Sequence, residues 1–476
     1  MFPIGSTTFQ GLTGRSVIYT DEAEITDVNV RDVLNKALIL HNKNSMEIDY
    51  LYRYYKGEQP IIHRTKEIRP EINNIIVENR ANEIVTFKVA YLVGAPIQYV
   101  NRGKEEVLED INKLNEFVFA EDKATKDKEL AEWFTICGTG YRIALPDPVG
   151  EEDESPFEIY TLDPRNTFVV YSSKLGQRRL MGCMVLHKQD GGVRYCIYTD
   201  SKYYEIEDNE IKKAEDHMLG RVPIIEYPAN MARLGAFEIV LPLLDELNMI
   251  ASNRMDGIEQ FIQSLLVIKG ADIEEDEYRK LIAMGGLKLP AEGDANYITQ
   301  ELNQTQTQAM VDYCYDAILT ICGMPNRNGG SSTSDTGSAV IFRDGWSSAE
   351  ARAKDTETTF KLSEKEFLRL ILHITNTLKS DINLKLADID IRFTRQNYEN
   401  IQEKSQVLTT MLNNDKIHPR LAFQHCGMFS DPELAYTMSK EYAEEKQEKD
   451  VAELERFANQ QTQLDKEKVN SDDVEV

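Results

Sequence analysis

What this sequence lacks narrows its function first. It has no apolar run of about eighteen residues, which excludes a transmembrane helix. Its start, MFPIGSTTFQGLTGRSVIYTDEAEI, has neither a charged leading region nor an apolar core, so it does not read as a signal peptide. Positive charge is scarce: 54 Lys and Arg face 80 Asp and Glu, a net charge of −26. That balance argues against an ordinary DNA-binding protein, which carries a basic footprint, and against attachment to an anionic membrane surface. The six cysteines, at 137, 183, 196, 314, 322 and 426, form no CxxC pair. Most sit in apolar patterns, as buried free thiols do in a reducing compartment.

Catalytic signatures are just as sparse. No GxxxxGK[ST] is present, and the Gly/Ser stretch 329–338 lacks the preceding strand and the lysine that a phosphate-cradling loop needs. His418, His425 and Cys426 form the tightest cluster of metal-ligand types, but their spacing fits no common zinc pattern. Asp388 and Asp390 in ADIDIRF would share one face of a strand, as paired metal-binding carboxylates can. The alternation with Ile389 and Ile391 equally describes a solvated strand face. No Ser-His-Asp or Cys-His set can be assembled. No catalytic residue, cofactor site or metal site is expected, and the residues alone point to a structural or binding protein.

What is present is organised around 235–346. The stretch GAFEIVLPLLDELNMIASNRMDGIEQFIQSLL places Phe237, Val240, Leu241, Leu244, Leu247, Ala251, Met255, Ile258, Ile262 and Leu265 at steps of three and four. That spacing predicts one long helix with Pro242 in its first turn. The opposite face carries Asp245, Glu246, Asn248, Asn253, Asp256, Glu259, Gln260 and Gln263. A second helix is predicted from NQTQTQAMVDYCYDAILTICGM, ending near Gly323 and Pro325. Its start is Gln, Thr and Asn without positive charge. The insert between the two helices has strand-like pieces at 265–270, 286–290 and 296–299 and a helix at 274–284. An insert of this kind suggests a stalk with a head. After Pro325, NRNGGSSTSDTGSA reads as a solvated loop, followed by a long helix from about Ser347 to Leu378.

Elsewhere the pattern predicts helices over 27–41, 45–55, 74–93, 103–126 (a helical pair) and 126–137. Short alternating runs over 141–230, broken by DPVGEEDESP, LDPRN, QDGG and TDS, predict one antiparallel sheet. Residues 382–394 read as extended. A three-helix run follows, and the charged tail after 455 reads as helix fading into disorder. The fold class is α+β, mainly helical.

The order of these motifs resembles the portal proteins of tailed double-stranded-DNA phages, in the branch typical of siphophages of Gram-positive hosts. The pieces that carry the resemblance are YRYYKGEQPI (52–61), NNIIVENRANEIVTFKVAYLVGAPIQY (73–99), KELAEWFTICGTGYRIAL (128–145), LDPRNTFVVYS (162–172), GRVPIIEYPAN (220–230) and FEIVLPLLDELNMIASNRMDGIEQF (237–261). GMPN, the Gly/Ser loop with GSAVIFR (337–343), and IHPRLAF with DPELAY (417–436) continue it. The resemblance implies a ring, dodecameric in virions, around a DNA channel at one capsid vertex. It implies a wing at 1–235 and 347–399, stem helices at 236–265 and 304–324, a clip at 266–303, and a tunnel loop at 325–346. A helical crown at 400–455 and an acidic tail at 456–476 complete the scheme.

The resemblance makes Asn326, Arg327, Asn328, Ser331, Ser332, Thr333, Ser334 and Arg343 candidates for the channel. Lys269, Glu274, Glu275, Arg279, Lys280 and Lys288 become candidates for partner contacts at the clip. The partners it implies are further copies of the chain, double-stranded DNA passing without sequence specificity, terminase, head–tail adaptors, and major capsid and scaffolding proteins, with no membrane. The protein would be assembled in the host cytoplasm and reside in the virion. Family loops are often bulkier than 328–338. An acidic, Gln/Thr/Asn-lined tube would hydrate and repel the duplex, whereas Lys and Arg contacts would grip it. The alternatives are a metal-dependent nuclease or other phage DNA-processing enzyme, using Asp388 and Asp390, and a monomeric head–tail adaptor.

Overall fold

The computed structural model describes residues 14–102, 105–147, 155–262, 265–269, 294–298, 304–326, 345–378, 382–395, 401–429 and 432–472. The fold is mixed α+β and mainly helical. Two compact units are present: Met1–Leu92 with Thr125–Pro146 and Phe157–Ile371, and Val93–Ala124 with Asp147–Pro156 and Leu372–Val476.

In the first unit, helix α1 spans Val30–Tyr55. The two helices expected over 27–41 and 45–55 are therefore one. His41-Asn42-Lys43-Asn44 lowers helix propensity but contains no Gly or Pro to stop it. Buried Val30, Val33, Leu34 and Ala37 on α1 pack against a six-stranded sheet. Its order is β1 (Ile18–Thr20), β5 (Thr167–Ser172), β6 (Arg179–His187), β7 (Val193–Tyr198), β8 (Lys202–Glu207) and β9 (Glu210–Asp216). The ladders from β5 to β9 are antiparallel, while β1 joins β5 in parallel, Ile18 opposite Val170. The sheet contributes Phe168, Val170, Met181, Cys183, Ile197, Tyr204 and Ile206 to this core. Strand β9, EIKKAED, is an almost wholly exposed edge. Its charges discourage edge-to-edge pairing.

The single antiparallel sheet expected over 141–230 is in fact two. Strands β10 (Ile224–Pro228), β3 (Thr139–Pro146) and β4 (Phe157–Leu162) form a separate three-stranded sheet. Tyr141, Ile143, Val222 and Ile224 pack against Val169 of the larger sheet. The approach is close at Gly182, where an added Cβ would lie 2.7 Å from Ile224 Cβ, so no larger residue fits without a shift.

Helix α2 is Arg80–Val93, and residues 72–79 before it are extended, which corrects the helix expected from 74. Helix α4 is Lys123–Cys137. A short 3-10 turn, Glu238–Val240, leads into α5, Leu241–Ile262, with Pro242 in its first turn as the pattern required. Strands β11 (Leu265–Lys269) and β12 (Asp294–Ile298) pair antiparallel, Lys269 opposite Asp294. Helix α6, Gln304–Cys322, returns, and α7, Trp346–Leu378, is the long helix expected from about Ser347.

Arg142 on β3 anchors α7 in this unit. It is fully buried, with Asp127 Oδ1 at 2.5 Å and Glu364 Oε2 of α7 at 3.5 Å. Tyr227 Oη donates to the same Glu364 oxygen at 2.7 Å. The carboxylates beside it push the Arg142 guanidinium further toward its charged form, against the effect of burial.

In the second unit, β2 (Gln98–Asn101) pairs antiparallel with β13 (Ile389–Arg392). Only this strand and a preceding 3-10 turn form within the stretch 382–394 that reads as extended. Helix α3, Leu108–Ala120, buries Ile111, Leu114 and Val118. It follows a 3-10 turn at Glu105–Val107, where a helical pair was expected. Helices α8 (Ile401–Leu412), α9 (Pro419–His425) and α10 (Pro432–Asp472) follow. The last runs through 456–472, where disorder was expected. Its Glu-, Lys-, Gln- and Ala-rich composition favours helix, and pairs such as Lys440–Glu444 add support.

Candidate channel and assembly surfaces

The two central helices use their polar residues differently. On α5, Asn248, Ser252 and Asp256 recur every four residues, a rise of about 6 Å per step. The extended strap 72–79 runs antiparallel beside them. Its alternate amides lie about 6.6 Å apart and point the same way. The two periods nearly coincide, so one hydrogen bond forms per step. Glu78 N donates to Asn248 Oδ1 at 2.8 Å, Ile76 N to Ser252 Oγ at 3.0 Å, and Asn74 N to Asp256 Oδ1 at 2.7 Å. Asn74 Nδ2 reaches Glu259 Oε2 at 2.8 Å. Asn248, Ser252 and Asp256 are buried by this strap.

Asp256 is the strongest point. Arg64 Nη2 lies 3.0 Å from its carboxylate and Lys66 pairs with the same oxygen. Burial pushes the carboxyl up, but the Lys66 and Asn74 hydrogen bonds and the Arg64 charge outweigh it and bring its pKa down to about 2. Asp245, one turn before this ladder, behaves oppositely. Burial raises it to about 6, although Tyr54 Oη donates to it at 2.9 Å.

The apolar face of α5 is buried only in its first turns. Phe237, Val240, Leu241, Leu244 and Leu247 are in the core, whereas Met255 is exposed.

Helix α6 has two apolar faces. Cys314, Ile318, Leu319 and Cys322 are buried. A second stripe, Met310, Tyr313, Ala317 and Ile321, follows steps of three, four and four along the other side. Tyr313 is 66% exposed, Met310 50% and Ile321 39%. The helix is fixed to α2 through Tyr315, whose ring lies 4.6 Å from the Arg80 guanidinium and whose Oη donates to Glu83 at 3.2 Å. Its first turn, Gln304 to Thr307, has no charged residue, and Gln308 bonds Arg254 of α5 at 2.9 Å.

Of the channel candidates, Asn326 lies at the C-terminal foot of α6, where its Nδ2 donates to Asp316 Oδ1 at 3.1 Å. Arg327, Asn328, Ser331, Ser332, Thr333, Ser334 and Arg343 lie outside the described residues. Of the clip candidates, Lys269 closes strand β11, and Glu274, Glu275, Arg279, Lys280 and Lys288 lie outside the described residues.

The carboxylates considered for metal do not form a pair. Asp388 is buried in the 3-10 turn before β13, where it accepts from the Lys385 backbone N–H, and Asp390 pairs with Arg392 at 3.4 Å. Among the described residues no three His, Cys, Asp or Glu side chains are grouped to hold a metal ion. His418 caps α9 by accepting from Arg420 N, and Cys426 is buried.

One feature escaped the sequence reading. A cavity of about 290 Å³ opens at the foot of α6 and takes in Lys88 of α2 and Arg352 of α7. The lone lysine inside the apolar run FKVAYLV was its signal.

Comparison with known proteins identifies the family. A family model described as phage portal protein, SPP1 Gp6-like, matches residues 37–452, and the chain belongs to that family. The portal protein of Bacillus phage SPP1 is 22% identical over 478 residues, covering 91% of this chain and 90% of that protein. Among solved structures, the neck of an empty gene transfer agent particle, computed with C6 symmetry, gives a TM-score of 0.41 at 12% identity, covering 74% of this chain and 91% of that chain. A native gene transfer agent virion gives 0.40 at 12% identity, covering 80% and 94%. The protein therefore has the structural, non-enzymatic role of a phage portal protein in the virion.

Proposed function

We propose that the chain forms a closed ring, a dodecamer in the virion, around a channel for double-stranded DNA. The observation that carries this reading is the second apolar stripe of α6. Met310, Tyr313 and Ile321 are exposed along it with Ala317 half-buried between them, and a neighbouring copy would bury the stripe. In this reading α5 and α6 are the stem, with 236–265 and 304–324 as their bounds. Residues 266–303 form the clip that docks terminase during packaging and head–tail adaptors afterwards. Residues 325–346 narrow the channel, with Asn326, Arg327, Asn328, Ser331 to Ser334 and Arg343 facing DNA. Lys269, Glu274, Glu275, Arg279, Lys280 and Lys288 contact partners at the clip. The wing comprises 1–235 and 347–399, and the crown 400–455 faces the capsid interior beside major capsid and scaffolding proteins.

Electrostatics favour sliding over gripping. Twelve copies at −26 give the ring a charge of roughly −300, which salt must screen. The uncharged Gln and Thr turn of α6 offers the phosphates no cation to hold. The test is native mass with negative-stain imaging of the same peak. A ring of about a dozen subunits with a central hole is expected. A monomer that persists at high concentration and varied salt would overturn the reading.

A further inference from the structure

The cavity at the foot of α6 is an unusual place for positive charge. Its walls include Phe87, Tyr91 and Phe134, and Cys322 closes one side. Lys88 and Arg352 both line it. The Arg352 side chain lies against Gly323, where an added Cβ would come within 2.8 Å of Arg352 Nε. Asp355 also lines the cavity, yet among the described residues no ion pair joins a carboxylate to either cation. Burial, and then the nearby Arg352 charge, hold the Lys88 ammonium below its ordinary range, with Cys322 acting in the opposite direction. Two cations lining one cavity without a paired anion are an unfavourable arrangement for an isolated protomer.

We propose that this cavity is a socket for an Asp or Glu side chain of a second copy of the chain. The proposal rests on the ring reading. Three observations direct it to a second copy. The exposed stripe of α6 ends at Ile321, which itself lines the cavity, so a copy seated on the stripe reaches the mouth. The chain carries 80 acidic residues against 54 basic ones, so carboxylates are the anions most abundant at any contact between copies. A space of about 290 Å³ has room for a side chain, whereas the backbone of a duplex is too broad to enter it. A carboxylate there would form charge-assisted hydrogen bonds with the Lys88 ammonium and the Arg352 guanidinium.

A structure of the assembled ring tests this directly. The expected result is a carboxylate oxygen of the neighbouring copy about 2.7–2.9 Å from Lys88 Nζ. A ring whose cavity is empty, or filled by an apolar side chain or by a residue of the same copy, overturns the socket and leaves the ring reading standing. No ring under any condition overturns both.

Lys88→Met provides a second readout. Removing a desolvated charge leaves the protomer's melting temperature unchanged or higher, while the protomer concentration for half-assembly rises about tenfold or more. Lys88→Arg restores assembly. If Lys88→Met assembles like the wild type at every salt concentration, the socket is wrong. If its melting temperature falls and assembly falls only in step with it, Lys88 serves the protomer fold instead.

Discussion

Helices α5 and α6 look alike in the sequence, each a long amphipathic segment with polar residues beside its apolar stripe. The structure separates them. One polar row of α5 is consumed within the protomer, where Asn248, Ser252 and Asp256 hold the amides of Glu78, Ile76 and Asn74. The polar start of α6 is exposed, and the helix keeps a second apolar stripe in which Met310, Tyr313 and Ile321 remain exposed. A polar helical face can thus be an internal hydrogen-bonding template or a solvated surface, and only the neighbour decides which.

The largest expected effect comes from breaking the α5 template at its strongest point. Asp256→Ala leaves Arg64, Lys66 and the Asn74 amide without their shared acceptor, and should lower protomer stability by about 3 kcal/mol in chemical denaturation. The pH dependence has a defined sign. The carboxyl sits near 2 when folded, below its ordinary 3.8, so its contribution is present above about pH 4 and disappears as the pH falls toward 2. The Asp256→Ala penalty should shrink over the same range.

Ser252→Ala should have a smaller effect. It strands the half-buried Ile76 N–H and should cost about 1 kcal/mol. If the loss is negligible, water has replaced the hydroxyl and the ladder is looser than its spacing implies.

Asp245→Asn sharpens the comparison with the opposite sign. The Asp245 carboxyl is raised to about 6, so the folded state favours its protonated form. Its stability contribution is therefore greatest below about pH 4 and declines as the pH rises through 6. An Asn oxygen still accepts from Tyr54 without the charge, so the variant should gain about 1 kcal/mol at pH 7.5 and nothing near pH 4. A loss at neutral pH would show that the charged form is held by more than Tyr54.

The smallest effect on the protomer belongs to α6. Tyr313→Asp alters a side chain that is 66% exposed, and should change protomer stability by no more than about 0.5 kcal/mol. Ring formation, read by native mass, should nevertheless be lost. A destabilised protomer, or an intact ring, would erase the contrast between the two helices.

Much of the helical framework was legible from spacing. α5, α6 and α7 all begin and end within a few residues of their apolar periodicity, and Pro242 falls in the first turn of α5. The strap was misread as helix because INNIIVENR carries apolar residues at helical as well as extended spacing. Strand β9 has too few apolar residues to announce itself, and β1 is only three residues long, paired to a strand far along the chain. The channel and clip candidates rested on motif order, which carries no side-chain geometry.

By itself, the sequence carried the helical framework, the acidic charge balance and, in the order of its motifs, the resemblance to the portal family. The first two follow from composition and from periods that each segment carries on its own, and the third from the order of the motifs along the chain. The tertiary structure alone decided which polar residues are structural, and that Lys88 and Arg352 meet in one cavity. The reason is physical. A side chain's hydrogen-bond partners and its desolvation depend on atoms that other segments bring within a few ångströms, and local spacing does not encode them.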